Sequence, residues 1–178
     1  EKVDQWLAIV DPSDRELFLR LLSRYTYLTN EASVRRYHEG IHILTDTLQS
    51  LGLSLCDLLF ISTESSDKWK AGSDHVRTDL HRLCMGRIDA RQIVACTRKL
   101  SAEELAGYRG FVFVDDIVGT GFTLLRTILS FLNQFADIIN SPLFVLCIVP
   151  TDAGLSYLTG QLKKRGVNIN LIYNQEWI

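Results

Sequence analysis

The stretch Phe111-Val112-Phe113-Val114-Asp115-Asp116-Ile117-Val118-Gly119-Thr120-Gly121-Phe122-Thr123 decides how the rest of the chain is read. Its first four residues are apolar and mostly β-favouring, the pattern of a buried strand. Two carboxylates follow at the strand's C-terminal edge. A Gly-Thr-Gly-Phe-Thr turn then opens a helix whose apolar residues Leu124, Leu125, Ile128, Leu129 and Leu132 recur at helical spacing. Gly119 and Gly121 permit positive φ and close approach of the backbone to a ligand. Successive N–H groups from Gly119 to Thr123 can point at one anion, which the helix dipole also favours. The hydroxyls of Thr120 and Thr123 add hydrogen bonds. Ligands of open α/β sheets gather at this carboxyl edge. The stretch is expected to form an anion site with polyol-binding acids beside it.

Two better-known phosphate loops are excluded. No Gly-Lys-Ser/Thr follows, so this is not the nucleotide P-loop, and Leu124 occupies the third glycine position of the dinucleotide fingerprint. A plain turn with Asp as helix cap needs one Asp and gives no reason for Gly-Thr-Gly-x-Thr.

The pattern Val114-Asp115-Asp116-x-x-x-Thr120-Gly121-x-Thr123 resembles the phosphoribosyl pyrophosphate (PRPP) motif of the type I phosphoribosyltransferases, with every fixed position present. The order of elements extends the similarity over about residues 54–175. The resemblance implies that Asp115 and Asp116 hold the ribose hydroxyls. It implies that the loop through Ile117, Val118, Gly119, Thr120, Gly121, Phe122 and Thr123 holds the 5-phosphate. It also implies magnesium, carried by the substrate's pyrophosphate. On the pyrophosphate side, Lys68 and the Arg98-Lys99 pair stand where the family places basic contacts, although Glu64 and Asp67 lie in the same loop as Lys68. Only about a dozen residues separate Arg98-Lys99 from the organising strand, so the family's long closing loop is expected to be shortened or absent. The helical start followed by a reduced core is similar in layout to phosphoribosyltransferase-like domains of bacterial conflict (anti-phage) operons.

Composition bounds these expectations. The chain has 178 residues, 47% hydrophobic, and a net charge of −2. That suits a globular core and gives no strong attraction to nucleic acid or anionic membrane. The apolar run from Ser141 to Pro150 is too short to span a bilayer. No signal peptide is read. None of Cys56, Cys84, Cys96 and Cys147 forms a C-x-x-C, and Cys56, Cys96 and Cys147 lie in apolar, strand-like runs. A reduced, cytoplasmic protein is expected.

In chain order, residues 1–50 read as helical. Asp11-Pro12 looks like a cap and first helical position, with Leu17, Leu21 and Leu22 on the apolar face. The next helix carries Val34, Tyr37, Ile41, Leu44 and Leu48 inward and ends near Gly52. Strands are expected at 56–62, 93–96, 111–114, 143–149 and 167–173. Helices are expected at 74–85, after the Ser101-x-x-Glu104 capping box, at 122–138, and from Thr151-Asp152 to Gly166. Strands separated by helices imply an α/β fold with a central, mostly parallel sheet covered by helices. Residues 1–53 are expected to be an N-terminal helical cap or extension on a core over 54–178.

A competing motif is His38-Glu39-Gly40-Ile41-His42, which spells H-E-x-x-H and can hold zinc on a helix, with Glu39 as base. The longer metzincin pattern fails at Thr45, Gly40 weakens the helix, and no strand precedes it. His38 and His42 are expected on a polar face instead.

The leading expectation is a phosphoribosyltransferase-like domain that binds PRPP or a nucleoside 5-monophosphate with magnesium and transfers phosphoribose to or from a base. A non-catalytic nucleotide sensor acting through a protein partner, bound by the N-terminal helices, is the alternative. A zinc hydrolase is the remote one. The acceptor base and the oligomeric state are not legible.

Overall fold

A computed structural model describes residues 2–23, 29–63, 80, 87–95, 100–135 and 140–174. The expected helix at 74–85, the loop holding Glu64, Asp67 and Lys68, and the Arg98-Lys99 pair lie outside the described residues, apart from Leu80. The chain forms two compact units, Glu1–Asn30 and Glu31–Ile178. Of the expected helical segment 1–53, the part up to Asn30 makes the first unit and the remainder lies in the second.

The first unit holds α1 (Lys2–Leu7) and α2 (Arg15–Ser23). The second helix starts later than expected from Asp11-Pro12. The carboxylate of Asp11 accepts from the amide and hydroxyl of Ser13, and the Asp14 amide donates to the Asp11 carbonyl. That makes a local turn which delays the helix to Arg15. Leu17 and Leu21, expected on a buried face, are exposed within this unit. About 30 residues cannot enclose a core of their own.

The second unit begins one residue into α3 (Asn30–Ser50). Of its expected stripe, Tyr37, Ile41, Leu44 and Leu48 are buried, as the spacing predicts, while Val34 is half-buried. Gly52 ends it in the left-handed region, φ +64°, where a glycine carries no side-chain penalty. Five strands follow: β1 (Leu58–Ser62), β2 (Ile93–Ala95), β3 (Gly110–Val118), β4 (Leu143–Pro150) and β5 (Asn170–Ile172). They form one sheet in the order β2-β1-β3-β4-β5, every pair parallel. Both edge strands are three residues long, which limits edge-to-edge pairing.

Each strand alternates its side chains between two faces. On one face Leu59, Ile61, Val94, Phe111, Phe113, Val145 and Cys147 join a single core with α5 (Phe122–Gln134) and α6 (Asp152–Lys163). Leu105 of the short helix α4 (Ala102–Ala106) joins it too. Phe131 of α5 lies between the two strand phenylalanines, its ring 5.0 Å from Phe111 and 5.5 Å, edge-on, from Phe113. On the other face α3 crosses β4, where the Arg36 guanidinium donates to the carbonyl of Ile148.

Several boundaries move. The capping box Ser101/Glu104 forms as expected and starts α4. By contrast, α5 stops at Gln134 rather than near 138, because Phe135 leaves helical backbone at φ −131°, ψ 55°. Cys56, expected in a strand, lies exposed in a 3-10 turn (Leu55–Asp57), while Cys147 is buried in β4. Gln92 holds the starts of two strands together. Its side-chain amide donates to the carbonyls of Leu55 and Leu58, and its oxygen accepts from Asp89. No helix among the described residues is long and apolar enough to cross a membrane.

Candidate functional site

The strand order places a crevice before any side chain is considered. From β1 the chain runs outward to β2, then returns across β1 to β3 and continues outward to β4 and β5. The reversal lies between β1 and β3, and ligands of open parallel sheets bind beyond the strand ends at such a point. Thr63 follows β1 there, and Asp115, Asp116 and the loop 119–121 end β3.

The register brings these groups together. Ser62 pairs with Val114, and the Thr63 amide donates to the Val114 carbonyl at 3.1 Å. Asp115 therefore sits beside Thr63, whose hydroxyl hydrogen-bonds its carboxyl, and beside Cys147 of β4. Asp115 extends the Phe111–Phe113 row and Asp116 the Val112–Val114 row. Asp116 accepts from the amide of Ile117 at 2.9 Å.

Burial dominates the electrostatics of Asp115. It raises the carboxyl to about 7, against the lowering effect of Thr63, and the neighbouring Asp116 charge adds to the rise. A carboxyl poised near neutrality can donate as well as accept at a ligand hydroxyl. The thiol of Cys147 is pushed up to about 12, again chiefly by burial, so it is an inert thiol beneath the acids.

The loop after the acids presents unpaired backbone amides at a helix start. Gly121 adopts φ +71° at the cap of α5, and no side chain caps that helix. Among the described residues the amides of Gly119, Thr120, Gly121 and Thr123 have no hydrogen-bond acceptor. Gly119, Thr120 and Thr123 are exposed. Four N–H groups without an acceptor, at the positive end of a 13-residue helix, form an arrangement that can hold an anion. Ile117 and Phe122, flanking this loop, are 58% and 57% exposed despite their apolar side chains. The structure thus gathers Asp115, Asp116, Ile117, Val118, Gly119, Thr120, Gly121, Phe122 and Thr123 at one sheet edge. Lys68, Arg98 and Lys99 lie outside the described residues.

Two contributors were missed from the sequence. Thr151, read only as a helix start, donates its hydroxyl to the carbonyl of Gly119 at 2.6 Å. Gly154, in the first turn of α6, lies against the same loop. A glycine inside a helical pattern is unfavourable without a packing reason, and that was the available signal.

The H-E-x-x-H motif lies elsewhere, on α3. His38 and His42 are exposed, as their polar face predicts, and His42 pairs with Asp46 at 3.1 Å. Glu39 approaches Arg35 and accepts from Asn174. Gly40 faces β4: a Cβ there would lie 2.6 Å from a methyl of Leu146. Among the described residues no three His, Cys, Asp or Glu side chains cluster as metal ligands. A separate cavity of about 200 Å³ opens between β2 and α4, with Leu59, Val94 and Leu100 on its apolar wall. Its rim residues Arg91 and Glu104 are already engaged by Asp89 and Ser101.

A family model described as PRTase-CE matches residues 3–176. Neither the comparison with curated proteins nor that with solved structures gives a match.

Proposed function

The chain belongs to the PRTase-CE family, a phosphoribosyltransferase-like family, and from that premise we propose that its sheet-edge site binds the phosphoribosyl group of PRPP or of a nucleoside 5-monophosphate. The observation that carries this reading is the pairing of Asp115 and Asp116 with the open amides of 119–123 at the crossover between β1 and β3. The acids take the vicinal ribose hydroxyls, with the carboxyl of Asp115 near neutrality suited to a bond in either direction. The amides take the 5-phosphate. The exposed faces of Ile117 and Phe122 are suited to the apolar face of a base.

In the transferase form of this reading, the bond from ribose C1 to pyrophosphate oxygen breaks, and a bond from C1 to a base nitrogen forms. Positive charge develops on the ribose ring between the two events. Binding the ribose at both ends holds C1 in place and costs no reorganisation when the bond breaks. Magnesium, carried by the substrate's pyrophosphate, would neutralise the leaving group. Two acids without a third clustered ligand among the described residues fit a cation that arrives on substrate phosphates. Lys68, Arg98 and Lys99 are proposed contacts to the pyrophosphate. The layout resemblance supports a setting in bacterial anti-phage defence, for which loss of phage protection in a site variant is the test.

The decisive measurement is calorimetric titration with PRPP and magnesium, with ribose 5-phosphate and AMP alongside. Binding is expected, and Asp115→Asn combined with Asp116→Asn should weaken it at least about a hundredfold through loss of charge-assisted hydrogen bonds. A double variant that binds normally overturns the assignment. Pyrophosphate release across a panel of bases then separates an enzyme from a sensor that acts through a partner.

A further inference from the structure

The loop that presents the amides rests on the first turn of α6, some 30 residues further along the chain. The Thr151 amide donates to the carbonyl of Val118 at 3.1 Å. The Thr151 hydroxyl accepts from the Gly154 amide at 3.0 Å and lies 2.6 Å from the carbonyl of Gly119. It is also 3.1 Å from the Val118 carbonyl, but it has one proton to give, and the shorter contact takes it. A relay results, from the Gly154 N–H through the Thr151 hydroxyl to the Gly119 carbonyl.

Sterics hold the same contact from both sides. A Cβ on Gly154 would stand 2.5 Å from the carbonyl oxygens of both Val118 and Gly119. A Cβ on Gly121 would stand 2.5 Å from the carbonyl oxygen of Gly154. Two glycines therefore face each other across the contact, and neither tolerates a side chain.

Peptide planarity converts this seat into a direction. No peptide bond here is cis, so each C=O points opposite to the N–H of the next residue. The carbonyls of Val118 and Gly119 turn toward α6. The N–H groups of Gly119 and Thr120 must then point away from it, toward solvent at the sheet edge.

We propose that Thr151 and Gly154 are positioning residues for the anion-binding loop, which hold two carbonyls so that the Gly119 and Thr120 amides face the ligand's phosphate. The inference rests on the phosphoribosyl reading above and adds to it the residues that orient the cradle.

The test uses the full chain and ribose 5-phosphate as the probe. Thr151→Val keeps the side-chain shape and removes the hydroxyl, and should weaken binding about tenfold. Thr151→Ser restores the hydroxyl and should bind within about threefold of the parent chain. Gly154→Ala should weaken binding at least as much as Thr151→Val. Rescue by serine distinguishes positioning from a general loss of stability, as do the amide chemical shifts of Gly119 and Thr120, which should move in Thr151→Val and not in Thr151→Ser. Should the variants fail to fold, amide shifts in the parent chain decide: ribose 5-phosphate must move Gly119 and Thr120 among the most. Unchanged affinity in Thr151→Val and Gly154→Ala overturns the inference and leaves the proposed function standing, whereas unmoved amides at 119 and 120 overturn the inference together with the assignment of those amides to the phosphate. A parent chain that binds none of the phosphoribosyl ligands overturns both.

Discussion

Asp115 shows how a buried carboxyl costs the fold stability. Its carboxyl titrates near 3.8 in an unstructured chain and about 7 in the folded one. Below the lower value it is protonated in both states and costs nothing. As pH rises through the interval, the folded state resists ionisation more than the unfolded one, and stability falls until the higher value is passed. Asp115→Asn removes that cost. The variant is expected to be more stable than the parent chain at pH 8, by on the order of a few kcal/mol, and so to melt higher, with the gain gone near pH 4. Thermal unfolding at the two pH values checks this, and a variant less stable than the parent at pH 8 would contradict it. The presence of the acid pair was legible in the sequence. The displaced titration of its first member was not, because it depends on burial beside Thr63, Cys147 and the sheet.

At the scale of elements, α3 illustrates a pattern whose face was legible and whose fit was not. The stripe Tyr37, Ile41, Leu44 and Leu48 announced the buried face, and the structure agrees. Gly40 read as a weakness in the helix, since glycine costs about 1 kcal/mol against alanine there. In the structure it is what lets the helix approach β4, at the buried side chain of Leu146. Propensity alone would make Gly40→Ala stabilising. The 2.6 Å approach predicts the opposite sign, a loss of about 1–3 kcal/mol from overpacking. Urea unfolding distinguishes the two. Likewise, the buried side-chain amide of Gln92, just before β2, satisfies the carbonyls of Leu55 and Leu58 at the start of β1, so Gln92→Leu should cost about 2–4 kcal/mol.

Across the whole molecule, the five-stranded sheet and both helical covers fall within Glu31–Ile178. A chain beginning at Asn30 is expected to keep a single cooperative melt. One beginning at Ser54 loses the buried stripe of α3 and should unfold without a sharp transition. Circular dichroism of the two truncations makes the comparison. The α/β class and the parallel strands were readable from apolar runs separated by helical periodicity. The strand order was not: pairing of β1 with both β2 and β3 is set by crossover handedness and packing, which leave no local trace.

By itself the sequence determined the local strand, acid pair, glycine loop and helix start at 111–123, because each depends on residues within one short window. It determined the buried faces of α3 and α5 for the same reason: periodicity is a property of neighbours along the chain. Only the tertiary structure decided which strand lies beside Asp115, how far its titration is displaced, and that Thr151 and Gly154 seat the loop. Those are contacts between segments some 30 to 50 residues apart, formed when parallel strands return through their crossovers to the same edge.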